Sequence, residues 1–78
     1  MQIILNGTEK NFQDQISIAT LIRELRLDER KIAVERNREI VPRTAFNSVS
    51  LCEGDKIEIV HFIGGGMSTV GLKERHLD

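Results

Sequence analysis

The sequence predicts an α+β domain in two layers, a mixed sheet of four to five strands packed on one helix. Three observations lead there. Only one segment, starting at Ile18, repeats its apolar residues with helical period. The segments on either side are short, alternating or β-branched, and separated by turn residues. The first and last strands are the most apolar, which places them centrally and side by side. A chain of 78 residues forms one domain with one small core, and one helix stripe covers one face of one sheet.

Gln2-Ile3-Ile4-Leu5 is the first strand, and Asn6-Gly7 follows at once. Both turn residues tolerate positive φ, so the pair signals a type I′ hairpin. Glu9 to Phe12 returns as the second strand. From Ile16 the period changes: Ile18, Leu21, Ile22 and Leu25 share one helix stripe. Ser17 is the expected N-cap, with Ile16 and Leu21 placed as a hydrophobic staple. Arg23, Glu24 and Arg26 take the solvent side. The stripe is read as core rather than as a partner-binding face, because so small a chain has little else to bury.

Asp28 to Lys31 reads as a charged, solvated connection. Ile32 to Arg36 and Glu39 to Val41 are two further strands, and Pro42 marks a strand end. Thr44 to Phe46 allows a single turn, with Phe46 plugging the core. Val49 to Leu51 alternates as a brief strand, Glu53-Gly54-Asp55 is a turn, and Lys56 to Ile63 is the last and longest strand. If the first and last strands are neighbours they run parallel, with the helix inside the connection. That is the β-grasp arrangement of ubiquitin.

The last strand also sorts its faces. Ile57 and Ile59 fall on one side, and Glu58, Val60 and Phe62 on the other. With the helix over the isoleucines, Val60 and Phe62 face outward as a candidate partner-binding surface. The alternative is that the loop around Phe46 covers them. Directly afterwards come Gly64, Gly65 and Gly66, slim enough to enter a narrow slot. The glycines alone read equally as a linker, a plain turn, or a tail held out for a partner.

Composition excludes several classes. Eleven basic residues against 12 acidic ones leave a net charge of -1 with no basic block, unlike a nucleic-acid binder. No apolar run approaches a membrane span and no signal peptide is legible, so a cytoplasmic protein is expected. A single cysteine, Cys52, cannot form an internal disulfide. It has no basic neighbour in sequence and reads as a small buried hydrophobe rather than a redox thiol. His61 and His76 have no partner at ligand spacing, so no metal is expected. The three glycines lack a following Lys-Ser/Thr, which excludes a phosphate-cradling loop. Ser17, Ser48 and Ser50 show no nucleophile–base arrangement. No catalytic side chain and no cofactor site emerges, so an enzyme is not expected.

Val34-Glu35-Arg36-Asn37 with Glu39-Ile40, then Leu51-Cys52, then Ile57 through Gly66, resemble the ubiquitin-like sulfur carriers, most closely the thiamine-thiazole (ThiS) family. The resemblance covers residues 1–66, the expected carrier domain. Residues 67–78 extend past the family's terminal glycine and read as an extension that is processed, fused or a cloning remnant. The resemblance implies that an adenylyltransferase partner uses ATP to activate the carboxyl group of Gly66, with Gly64 and Gly65 threading its channel. Sulfur originating from cysteine then replaces AMP to leave a thiocarboxylate, which thiazole synthase consumes. The small subunit of molybdopterin synthase is an alternative within this class. A non-catalytic β-grasp binding module, with the glycines as a mere linker, is the alternative outside it.

Overall fold

The computed structural model describes residues 1–62. The chain runs β1 (Gln2–Leu5), β2 (Thr8–Asn11), α1 (Ile18–Glu24), a 3₁₀ turn (Glu29–Lys31), β3 (Ile32–Arg36), β4 (Glu39–Val41), a second 3₁₀ turn (Arg43–Ala45) and β5 (Lys56–His61). The five strands form one sheet in the order β2-β1-β5-β3-β4. β1 and β5 pair in parallel at its centre, and every other pairing is antiparallel. The expected two-layer, mixed-sheet β-grasp architecture is therefore the observed one.

Local chemistry accounts for the elements. Asn6 and Gly7 adopt φ 48° and 85°, so the first hairpin closes through two left-handed residues. Ser17 caps α1, its Oγ accepting from the Thr20 N–H at 3.1 Å. Such a short helix is marginal alone and depends on its apolar stripe. Ile18, Ala19, Leu21 and Ile22 are all buried, and each large aliphatic among them contributes about 1.5–3 kcal/mol. The helix closes in a Schellman arrangement: Arg26 N–H donates to Arg23 C=O and Leu27 N–H to Ile22 C=O. Arg26 stands at the left-handed position, φ 61°, where glycine is usual.

The core gathers this stripe with Ile3 and Leu5 of β1, Ile32 and Val34 of β3, Ile57 and Ile59 of β5, and Phe46 and Leu51 from the loops. Phe46 plugs the core as expected, 2% exposed. Two expectations are corrected. Val49 to Leu51 is not a strand of the sheet. Ser50 makes a single antiparallel bridge with Ser17, and the flanking backbone bonds to Ile16 and Ile18 instead. Cys52 is exposed, not buried, because the turn after Leu51 sends Asp55 inward in its place; Asp55 is 6% exposed. The Asp28 to Lys31 connection is also more ordered than its charge implied. Asp28 caps a 3₁₀ turn and holds Arg30 through both carboxylate oxygens. No helix among the described residues is long and apolar enough to cross a membrane.

Candidate functional site

β5 is the central strand and the last element before the glycines in the sequence, so the site is built up from what holds β5. At its start, Asn37 closes a β3–β4 turn with φ 52°. Its side-chain oxygen accepts from the Lys56 N–H at 3.0 Å, and its own N–H donates to the Lys56 carbonyl at 2.8 Å. Beneath it, the Asp55 carboxylate accepts from the Cys52 N–H at 2.8 Å, Asn37 Nδ2 at 3.0 Å and Arg36 Nε at 2.9 Å. Burial pushes the Asp55 carboxyl up, but those three donors outweigh it and hold it below the ordinary carboxylate value. Along the other flank the β1 backbone donates to Asp55 and Ile57 carbonyls. The Asn6 side chain then continues that pairing by accepting from the Ile59 N–H at 2.8 Å. A short parallel ladder is thus extended by a side-chain amide past the end of β1.

At its far end β5 stays paired with β3, Val60 opposite Ala33 and His61 opposite Ile32. The Phe62 N–H donates to the Lys31 carbonyl at 2.8 Å, so the chain remains tied to the sheet up to the last described residue.

Ile57 and Ile59 point into the core, 0% and 4% exposed. Val60, in the opposite pleat, is half-buried on the sheet face away from the helix. Phe62 is also half-buried, and it forms one wall of a hollow of about 330 Å³ shared with Pro42, Arg43 and Phe46. The loop around Phe46 therefore borders Phe62 as well as the sheet. Ile63, the last residue expected for β5, the glycines Gly64, Gly65 and Gly66, and the extension 67–78 all lie outside the described residues.

The open face divides in two. At one end Glu35 and Glu58 stand opposite each other, bordering with Arg38 and Lys56 a polar hollow of about 250 Å³. Beyond them Ala33, Val60 and Phe62 form an apolar corner, which Ile40, paired with Glu35 across β3 and β4, borders from the edge strand. Ile40 is 65% exposed, the one exposed large hydrophobic side chain among the described residues. Sequence reading passed over Ile40, although the parity of Glu39-Ile40-Val41 on an edge strand carries the signal. It also passed over Asp55, whose turn position gave no sign of burial. Among the described residues no three His, Cys, Asp or Glu side chains cluster as metal ligands.

The ThiS family profile matches residues 3–66, from β1 through the third glycine. The chain belongs to the ThiS family. This ThiS-family chain is 41% identical over 63 residues to the sulfur carrier protein ThiS of Bacillus subtilis, covering 80% of itself and 96% of that relative. It is 50% identical over 66 residues to the thiazole synthase of Paramagnetospirillum magneticum, covering 85% of itself but only 20% of the relative. The chain thus spans about a fifth of the length of that relative, and the same share of the thiazole synthase of Magnetococcus marinus. Among solved structures, the ThiS thiamine biosynthesis protein of Geobacter metallireducens superposes with a TM-score of 0.74 at 28% identity, covering 85% of this chain and all of that one.

Proposed function

We propose that this chain is the sulfur carrier of thiamine-thiazole biosynthesis and that its reactive group is the carboxyl of Gly66. The observation that carries the reading is the family match, which runs from Ile3 to Gly66. The near full-length similarity to the Bacillus sulfur carrier supports it.

The chemistry asks little of this chain's side chains. The Gly66 carboxylate attacks the α-phosphate of ATP in the active site of an adenylating partner, and pyrophosphate leaves. A sulfur nucleophile derived from cysteine then adds to the acyl carbon, and AMP leaves. Where that nucleophile is a donor persulfide, the product is an acyl disulfide, and a second thiol reduces its S–S bond, releasing the thiocarboxylate and leaving a disulfide with the donor sulfur. Glycine leaves the acyl carbon unhindered, and Gly64 and Gly65 let the tail lie extended in a channel. Gly66 lies four residue steps beyond Phe62, a reach of about 14 Å at most. Val60 and Phe62 are the surface that meets the partner beside that channel. The catalytic groups belong to the partners, and this chain acts as a tethered substrate. Thiazole synthase consumes the sulfur; two relatives bearing that name, each containing a stretch similar to this chain, support it as partner.

Residues 1–66 are the working unit. In the sequence as it stands, the Gly66 carbonyl forms an amide with Met67, and an amide has no carboxylate oxygen to place on phosphorus. The test incubates residues 1–66 and residues 1–78 with the adenylating enzyme, ATP and a sulfur source. Intact mass spectrometry should show oxygen replaced by sulfur on the shorter form alone. Sulfur gained by the uncut longer form defeats the role given to Gly66.

A further inference from the structure

The hollow beside Phe62 carries a second, more specific recognition element. Its floor and walls are apolar: Ala33, Ile40, Pro42, Phe46 and Phe62. Exposing so much of Ile40 to water is unfavourable by roughly 25 cal/mol for each Å² of apolar surface, and none of the described residues covers it. On the rim stands Arg43, exposed, whose guanidinium makes no hydrogen bond or ion pair among the described residues. The neighbouring Arg30 differs, being held bidentate by Asp28 at 3.0 and 3.1 Å. An apolar hollow with one uncommitted guanidinium at its edge is complementary to an aliphatic side chain next to a carboxylate, since arginine pairs carboxylates in a planar fork.

Position names the occupant. Phe62 is both a wall of the hollow and the residue from which the chain runs on to Gly66. A protein holding Gly66 in its active site therefore presents its surface within about 14 Å of Phe62, one wall of the hollow that Ile40 and Arg43 also line. We infer that this hollow docks an acidic, aliphatic segment of the adenylating partner, with Ile40 as the apolar anchor and Arg43 as the ionic one. The inference rests on the carrier reading above and adds the chemistry of the contact. Neither Ile40 nor Arg43 touches the reacting atoms. Both set affinity and leave the chemical step alone.

The experiment uses residues 1–66 with the purified adenylating enzyme and ATP, measuring pyrophosphate release against carrier concentration. Arg43→Glu and Ile40→Asp should each raise KM at least tenfold with kcat within twofold. Arg43→Lys, which keeps the charge but loses the planar fork, should raise KM by less than Arg43→Glu does, and Lys10→Glu on the opposite edge strand should change nothing. Circular dichroism melts confirm that the variants fold, which is expected because both side chains are exposed. Wild-type KM for Arg43→Glu and Ile40→Asp overturns the inference while leaving the carrier reading intact. A wild-type chain that releases no pyrophosphate overturns both. Sedimentation of residues 1–66 as a dimer that Ile40→Asp dissociates assigns the hollow to a second copy and overturns the inference. So does an NMR shift of the Ile40 and Arg43 amides between residues 1–66 and 1–78 without partner, which assigns it to the chain's own extension.

Discussion

Asp55→Ala is the substitution that most directly tests how β5 is anchored. It strips the acceptor from three donors at once: the Cys52 N–H, Asn37 Nδ2 and Arg36 Nε. Removing one partner of a buried ion pair typically costs about 3–5 kcal/mol. Here the Arg36 side chain is 30% exposed and water reaches part of the site, so the expected loss is about 3 kcal/mol. A domain of this size holds roughly 3–9 kcal/mol in total, so the change removes a large share. At about 4–8 °C per kcal/mol for so small a domain, Tm should fall by roughly 12–24 °C. Urea unfolding followed by circular dichroism reads the loss. If Asp55→Ala loses less than about 1 kcal/mol, water replaces the carboxylate freely and the anchoring argument fails.

The same carboxylate makes a pH prediction. Folding lowers the Asp55 pKa below its ordinary 3.8, so the native state favours the ionised form. Its contribution is complete above about pH 4 and is lost as pH falls through the folded value. Wild type should therefore destabilise below pH 4 more steeply than Asp55→Asn, which has no such proton to gain. Asp28, drawn down to about 2 by the Arg30 side-chain hydrogen bond, titrates in the same region, but it is common to both proteins and cancels from the difference. Parallel pH profiles for the two proteins would show that Asp55 titrates alike in the folded and unfolded chains.

Ser17→Ala removes the α1 cap and should cost about 1 kcal/mol, read as a Tm lower by about 4–8 °C; an unchanged Tm means that the 3.1 Å cap hydrogen bond contributes nothing. Arg26→Gly relieves a left-handed φ of 61° at the helix end and should stabilise by about 0.5–1 kcal/mol. A lower urea midpoint for that variant contradicts the strain. Phe62→Asp should leave the fold largely intact but weaken association with the adenylating partner by about 2 kcal/mol or more, measured by titration calorimetry. Unfolding of that variant instead assigns Phe62 to the core.

Much of this molecule follows from local rules that a single sequence displays. Asn6-Gly7 dictates the hairpin because both residues accept positive φ. The Ile18, Leu21, Ile22 stripe dictates where a helix must pack, and the alternation of β5 separates Ile57 and Ile59 from Val60. The resemblance in the residues leading to Gly66 already indicated the family. What tertiary structure alone decided is which nearby polar and apolar groups win the inside. Cys52 and Asp55 sit three residues apart in one turn, and hydrophobicity favours burying the thiol. The carboxylate is buried instead, because Arg36 and Asn37 arrive from β3 and its turn to satisfy it. Val49 to Leu51 has strand periodicity, yet its backbone partners are Ile16 and Ile18, so it braces the helix entry and never joins the sheet. Ile40 is exposed because β4 is an edge strand whose outward pleat none of the described residues covers. Each of these outcomes depends on residues distant in the chain, which is why periodicity and spacing could not supply them.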